Sequence, residues 1–358
     1  MNGNDDISKL LALQRKLARE EEAKAEKTGR IFPVYTELPE HVRQLLRCAE
    51  SDERLQSWAS TVKALPRKTS AVPTAGKPMI QNAHKLWDEQ VYGNSELFDV
   101  LLRHAVEYSR TGHTNAVLMV GPPGCGKTLA AEVYGSFLGL PTASWSASSV
   151  AGGSGWSGHG HVYVGAEPGI PVRSMVNTKC GNPVVCVNEL EKAVQNTQHE
   201  YLLEAMLSSL DQDAVHWTDN FLGFPVDISH LIYCFTANDS ERIPAPLLDR
   251  MEIVHLNALS KEDLKAITYR FTIPQAMDHF HCNDNEVIFR RELSEQLVDH
   301  LWKQGVTECR SIQRIVRKLI SDAMIDHFLL ERSVEIDETR IASLRERPGA
   351  GAGRSIGF

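Results

Sequence analysis

Residues 116–128 read AVLMVGPPGCGKT, and this stretch decides the fold. The apolar run Ala116–Val120 predicts a short buried strand, and the proline and glycine residues after it predict a tight turn. A helix is expected to follow from Lys127 to about Leu138. In this order of strand, turn and helix, backbone N–H groups of the turn and the positive end of the helix can surround a phosphate group.

The turn matches the pattern GxxxxGK[ST] at every fixed position. We expect Lys127 to reach the β- and γ-phosphates of a nucleoside triphosphate, and Thr128 to ligate its Mg²⁺ ion. The remaining residues expected to bind the phosphates are Gly121, Pro122, Pro123, Gly124, Cys125 and Gly126. The predicted cofactors are therefore ATP and Mg²⁺.

Two more apolar runs, Pro183–Val187 and Leu231–Thr236, also predict buried strands. Helical patterns separate these runs from one another and from Ala116–Val120. Strands that alternate with helices favour a parallel sheet covered by helices, so the predicted fold class is α/β.

A triphosphate site also needs an acidic group at the end of a neighbouring strand, and Asn188-Glu189 follows the run Pro183–Val187. Glu189 can polarise an attacking water. Asn188 stands where an aspartate is usual. It can accept a hydrogen bond from a metal-bound water but carries no charge, so we expect weaker Mg²⁺ binding and slower hydrolysis than with an aspartate.

The chain is predicted to have four regions. Residues 7–30 predict a terminal helix, and helical patterns return over residues 40–65. Later in the chain, Ser260 and Asp263 are typical of a helix start. The predicted regions are a helical amino-terminal region with its linker (1–78), a large α/β domain (79–257), a small helical domain (258–345) and a flexible glycine-rich tail (346–358).

Composition and charge limit the classes of function. The chain has 358 residues, 42% hydrophobic and 23% charged, which is ordinary for a globular protein with two domains. Its net charge of −8 gives no electrostatic case for nucleic acid as the main partner. No apolar run is long enough to span a membrane, and no secretory signal is visible. Seven scattered cysteines without a CxxC pair fit a reducing cytoplasm.

Several ordered stretches together resemble the ATPase module of Lon proteases over roughly residues 36–335. They are LWDEQVYG at 86–93, YVGAEPG at 163–169, NPVVCVNELEK at 182–192 and TANDSERIPAPLLDRMEI at 236–253. The resemblance implies an AAA+ fold, with a five-stranded parallel sheet followed by a small helical lid domain. It places Tyr92 and Gly93 near the adenine. Neither the Ser–Lys protease domain nor the large amino-terminal domain of Lon is expected, so no peptidase activity is predicted.

The resemblance also gives roles to three polar residues. Asn238 would be the sensor 1 residue, touching the γ-phosphate or the attacking water. Arg250 would be an arginine finger that reaches a neighbour's nucleotide and neutralises charge on its γ-phosphate; the alternative is a surface arginine that caps a helix. Arg310 would be the sensor 2 residue, which couples nucleotide state to the angle of the helical domain. A finger that acts on a neighbour requires a ring, and a hexamer is expected.

Tyr163 and Val164 stand where Lon-type rings place a pore loop, which would grip a threaded polypeptide by apolar contact. A tyrosine packed in the core of a loop is the alternative. Nearby glycines favour a mobile loop; they are Gly152, Gly153, Gly155, Gly158 and Gly160. Trp217 is a candidate for a second inner loop or for the core.

The leading hypothesis is an ATP-hydrolysing motor that unfolds or remodels protein, alone or with a separate protease or operon partner. The last residues, Ser355–Phe358, are either a docking tip for such a partner or a disordered end. Asn188 motivates a second hypothesis, a nucleotide-gated ring that binds partners and hydrolyses ATP weakly. A third, a DNA-linked factor, rests on basic segments such as Arg310–Lys318.

Overall fold

The structure is a computed structural model that describes residues 29–32, 34, 38–49, 53–146, 153–163, 165–193, 199–211, 214–283 and 285–344. The expected terminal helix up to residue 28, the tail at 346–358, and Val164 lie outside the described residues. The chain forms two compact units, one up to Leu256 and one from Asn257, and the second also includes Pro122–Cys125.

The bounds of the elements are as follows. The strands are β1 (Ala116–Val120), β2 (Thr142–Ser146), β3 (Val184–Asn188), β4 (Trp217–Asp219), β5 (Phe224–Val226), β6 (Ile232–Ala237), β7 (Met251–His255), β8 (Val287–Ile288) and β9 (Val334–Glu335). The helices are α1 (Glu40–Cys48), α2 (Glu53–Ala64), α3 (Lys77–Gln90), α4 (Ser95–Thr111), α5 (Lys127–Phe137), α6 (Gly153–Ser157), α7 (Ile170–Thr178), α8 (Leu190–Ala193), α9 (His199–Leu210), α10 (Ala245–Leu248), α11 (Lys261–Ile267), α12 (Ile273–His279), α13 (Arg291–Lys303), α14 (Cys309–Leu330) and α15 (Glu338–Ala342).

Five strands form one parallel sheet in the order β2-β3-β6-β1-β7. The three strands expected from apolar runs are confirmed as β1, β3 and β6. They are adjacent in the sheet, and Val117 of β1 lies opposite Cys234 of β6. The α/β fold class and the five-stranded parallel sheet are thus confirmed.

The amino-terminal helices pack into the same core as the sheet. Val42 of α1 and Trp58 and Val62 of α2 are buried together with Val185 of β3. The indole Nε1 of Trp58 donates a hydrogen bond of 3.1 Å to the carbonyl oxygen of Leu222. Burial of large apolar side chains stabilises by about 1.5–3 kcal/mol each, so these helices contribute to the stability of the first unit.

The connector between α2 and α3 is also packed rather than extended into solvent. Thr69 and Val72 are buried, and the backbone N–H of Ser70 donates to Oδ1 of Asn182 at 2.7 Å. Arg30 pairs with Val72 in an isolated antiparallel bridge. These bonds attach the connector and the residues before it to the first unit.

The expected mobile loop is corrected for residues 153–157, which form helix α6. Trp156 of this helix is fully buried, and its indole Nε1 donates to Oγ of Ser209 at 3.1 Å. It also stacks against Phe235 of β6, with 6.3 Å between the ring centroids. The glycine content suggested mobility, but one large aromatic side chain anchors the segment in the core.

The second unit is mostly helical, with its own core and one short parallel pair of strands, β8 and β9. The predicted helix start is confirmed, because Ser260 and Asp263 form a reciprocal capping box at α11. Helix α14 buries Ile312, Ile315 and Val316, which places its basic side chains on the opposite, exposed face. Within the described residues, no helix is both long and apolar enough to cross a membrane.

Candidate nucleotide-binding site

The sheet brings three predicted site segments to one edge. Since the strands are parallel, the carboxyl ends of β1, β6 and β3 lie side by side, and ligands of such sheets bind at that edge. Gly121 follows β1, Asn238 follows β6, and Glu189 follows β3. The backbone N–H of Gly121 donates to the carbonyl oxygen of Ala237 at 3.1 Å, which ties the first two strand ends together.

The turn after β1 has the backbone that a phosphate-binding loop needs. Gly124 and Gly126 have φ angles of 82° and 94°, a left-handed region that favours glycine. Gly126 is also the N-cap residue of helix α5, and its carbonyl oxygen accepts a hydrogen bond from the N–H of Ala130 at 2.9 Å. Pro122 and Pro123 precede these glycines, and the Cys125 side chain is buried.

Lys127 lies over the ends of β1 and β6. Its ammonium group donates to the carbonyl oxygen of Gly121 and, at 3.3 Å, to Oδ1 of Asn238. The structure therefore brings the predicted phosphate-binding lysine together with the predicted sensor 1 residue. A positive charge at this place can attract the terminal phosphates of a nucleotide.

Asn188 faces Thr128 through its amide oxygen. That oxygen accepts hydrogen bonds from Oγ1 of Thr128 at 2.6 Å and Oγ1 of Thr236 at 3.3 Å. Its amide nitrogen donates to the carbonyl oxygen of Trp145 at 3.3 Å, which fixes the orientation of the side chain. The hydroxyl and amide oxygens of this pair fit Mg²⁺, which prefers oxygen ligands, although neither carries a charge.

Glu189 has a strained backbone and an exposed ion pair. Its φ of 62° is unusual for a residue with a side chain, and such conformations concentrate at functional sites. Its backbone N–H donates to Oγ1 of Thr236 at 3.1 Å. The carboxylate, 44% exposed, lies 2.8 Å from Nζ of Lys192, and this hydrogen bond raises the pKa of Lys192.

Glu191, which no motif in the sequence singles out, also lies beside the carboxyl ends of these strands. Its Oε1 accepts hydrogen bonds from the backbone N–H and the side-chain Nδ2 of Asn238, at 3.2 and 3.0 Å. The residue is only 6% exposed. An acidic residue two positions after Glu189 was the only signal in the sequence, and a carboxylate in a helical stretch more often faces solvent.

Arg250 lies at the amino-terminal ends of the strands, opposite to the ends that carry the phosphate loop. It immediately precedes β7, whereas the phosphate loop follows β1, which runs parallel to β7. A strand of five residues spans roughly 16 Å. The guanidinium Nε of Arg250 donates to Oδ1 of Asp211 at 2.9 Å, and its Nη1 donates to the carbonyl oxygen of Pro246 at 3.2 Å.

Tyr92 and Gly93 lie between α3 and α4. The indole of Trp87 donates to the carbonyl oxygen of Gly93 at 3.1 Å, and its ring contacts Phe137 of α5, with 6.2 Å between centroids. The segment is thus attached to the helix that follows the phosphate loop. Its role toward adenine stays a prediction.

The remaining candidates are placed as follows. Tyr163 is 70% exposed, so the alternative of a tyrosine packed in a loop core is wrong. Trp217 belongs to the core, since it lies in β4 and is 6% exposed, and a second inner loop at this residue is excluded. Arg310 is an exposed residue in the first turn of α14 in the second unit, and its sensor 2 role stays a prediction.

Comparison with known proteins agrees with this geometry. The family described as "ATPase family associated with various cellular activities (AAA)" matches residues 117–258, from β1 to the residues after β7. The chain carries an AAA+ module similar to that of Lon proteases. The Lon protease of Borrelia duttonii is 28% identical over 262 residues, which are 71% of this chain and 32% of that protein.

A mitochondrial Lon protease homologue of Caenorhabditis briggsae is 30% identical over 244 residues, 67% of this chain and 25% of that protein. The chain therefore spans about a third or less of the length of these two Lon relatives. A cryo-EM reconstruction of closed-state Hsp104 with ATPγS and FITC casein matches with a TM-score of 0.58 and 20% identity. The match covers 72% of this chain and 49% of that one, and it supports the AAA+ fold.

Proposed function

We propose that this chain binds and hydrolyses ATP, and that it works as one subunit of a ring-shaped motor that unfolds or remodels protein. The proposal rests on one observation: Lys127, Asn188-Glu189 and Asn238 lie together at the carboxyl ends of the three adjacent strands β1, β3 and β6. The AAA family match and the Lon relatives support the same reading.

Binding would use the loop and the first turn of α5. Backbone N–H groups of Gly121–Gly126 and the ammonium of Lys127 would hold the β- and γ-phosphates. Thr128 and Asn188 would hold Mg²⁺, which supplies positive charge next to those phosphates.

Hydrolysis would use Glu189 as the general base. The carboxylate takes a proton from a water whose oxygen attacks the γ-phosphorus, while the bond from that phosphorus to the bridging oxygen breaks and its electrons stay with ADP. Glu189 must first leave Lys192. That change is easy, because an ion pair between exposed groups contributes little stability.

The position of Arg250 favours an assembly rather than a single subunit. Its side chain lies at the edge of the sheet opposite to the nucleotide site of its own chain, so it is suited to complete the site of a neighbour. Repetition of that contact around an axis closes a ring, and the resemblance to Lon favours six subunits. The exposed Tyr163 would then face a threaded polypeptide. A separate protease or operon partner would receive the unfolded chain.

We place the protein in the cytoplasm. No disulfide joins any of its seven cysteines, all of which lie in the described part of the chain. Reduced thiols are the usual state in that compartment.

The test is a phosphate-release assay with the purified protein and Mg²⁺-ATP. We expect turnover in the wild type and its loss in Glu189→Gln, which keeps the size of the side chain and removes the base. Lys192→Gln is the matched control and should retain turnover, since among the described residues Lys192 forms its ion pair with Glu189 and with no phosphate-loop residue. An absence of turnover in the wild type would contradict the motor.

A nucleotide-gated binding ring is the second candidate, favoured by the neutral pair Thr128 and Asn188. That ring would assemble on ATP and release no phosphate above background. Electron microscopy with a slowly hydrolysed ATP analogue, together with the same assay, separates the two candidates.

A further inference from the structure

Glu191 is a buried carboxylate that has no part in the reaction described above. Its Oε1 accepts hydrogen bonds from the backbone N–H and the side-chain Nδ2 of Asn238. Its Oε2 has no hydrogen-bond partner among the described residues. Burial of a carboxylate costs free energy unless it is well paired, and an unpartnered buried oxygen adds to that cost. Stability of the fold therefore does not account for a glutamate at this position.

The two neighbours of the Asn238 side chain fix the orientation of its amide. A carboxylate can only accept hydrogen bonds, so Glu191 selects the Nδ2 end. An ammonium group can only donate, so Lys127, 3.3 Å away, selects the Oδ1 end. Both contacts turn the oxygen of Asn238 toward the phosphate loop and its nitrogen away from it.

We propose that Glu191 is a positioning residue that holds Asn238 as a hydrogen-bond acceptor toward the attacking water. This inference rests on the proposed ATP hydrolysis. An acceptor at Asn238 takes one O–H of the water while Glu189 takes the other, and a lone pair of the oxygen is left for the γ-phosphorus. With the amide reversed, its NH₂ group would donate to that lone pair and oppose the attack.

Glu191→Gln tests the proposal, because glutamine has the same size but can donate as well as accept. The amide of Asn238 then loses its fixed orientation. We expect kcat to fall about tenfold, in line with the loss of a hydrogen bond to a charged group. The KM for ATP should stay within about twofold, since the phosphate loop is intact. Glu241→Gln, the same change at an exposed residue near the end of β6, is the matched control.

A double-mutant cycle separates positioning from a general structural effect. In an Asn238→Ala background, the change Glu191→Gln should lower kcat no further, because the residue through which it acts is gone. An equal loss in both backgrounds would overturn the proposal, and so would an unchanged kcat in Glu191→Gln. A lower melting temperature with a parallel loss of ATP and ADP affinity would assign Glu191 to the fold instead.

A second measurement does not depend on hydrolysis. In ¹⁵N-labelled protein, the side-chain NH₂ signals of Asn238, assigned by their loss in Asn238→Ala, should shift and exchange faster with solvent in Glu191→Gln. Identical signals in wild type and Glu191→Gln would reject the contact itself. If the wild type releases no phosphate, the proposed function fails, and these signals still decide whether Glu191 holds the amide.

Discussion

Thr128 donates a hydrogen bond of 2.6 Å from its Oγ1 to Oδ1 of Asn188. This contact joins the helix after the phosphate loop to the end of the neighbouring strand β3. Both groups are neutral, so the place where Mg²⁺ is expected has oxygen ligands but lacks the negative charge of an aspartate. A single substitution that adds this negative charge should therefore raise the affinity for Mg²⁺.

Asn188→Asp should strengthen Mg²⁺ binding and speed hydrolysis. We expect a gain of roughly tenfold in Mg²⁺ affinity, since interactions with a charged group are worth about 1.5–3 kcal/mol. Titration of the ATPase rate with Mg²⁺ measures it. Asn115→Asp adds the same charge to an exposed residue before β1, at the other edge of the sheet, and should change nothing. Equal Mg²⁺ curves for wild type and Asn188→Asp would count against the site.

Arg250→Ala should abolish hydrolysis and leave ATP binding intact. An arginine finger accelerates phosphoryl transfer by about a thousandfold or more. Mixing Arg250→Ala subunits with Lys127→Ala subunits should restore part of the activity. The Lys127→Ala subunits supply the finger, and the Arg250→Ala subunits supply an intact phosphate loop. Arg242→Ala, at an exposed arginine near the end of β6, is the control. If mixing restores nothing, the finger does not act between subunits.

Tyr163→Ala should uncouple hydrolysis from substrate. Unfolded casein is expected to stimulate the ATPase rate of the wild type severalfold but not that of the variant, whose basal rate should be unchanged. The reason is the exposure of Tyr163, which leaves its ring available for apolar contact with another chain. Tyr201→Ala removes an equally exposed tyrosine from α9 and should keep the stimulation. Stimulation retained in Tyr163→Ala would exclude a gripping role.

The free energy of unfolding of the first unit should fall as the pH rises from about 4 to about 6, because Asp219 loses its proton in that range. Burial raises the pKa of this carboxyl to about 6, although it accepts hydrogen bonds from the backbone of Gly169, Phe221 and Leu222. Between the unfolded pKa and the folded one, the folded state binds more protons, so its stability falls as pH rises. Two pKa units correspond to roughly 3 kcal/mol.

Urea denaturation of wild type and Asp219→Asn across this pH range measures the effect. The free energy of unfolding of the wild type should fall relative to that of Asp219→Asn as the pH rises. The difference should then level off above about pH 6. A constant difference would show that the carboxyl titrates alike in the folded and unfolded states.

The local order of strand, glycine-rich turn and helix was readable from residues 116–128 alone. Periodicity and the special backbone of glycine act over a few residues, so their signal survives in the sequence. The same holds for the capping box of Ser260 and Asp263. The strand ends at Asn188 and Asn238 followed from the apolar runs before them and from the resemblance.

Contacts between distant residues were decided only by the tertiary structure. Trp58 and Leu222 are joined across 164 positions, and Arg250 and Asp211 across 39, because helices and loops pack on the sheet in three dimensions. Glu191 shows the physical reason most clearly. A carboxylate in a helical stretch has the same local signal whether it faces water or the amide of Asn238, and only the packing of α8 beside β6 determines which.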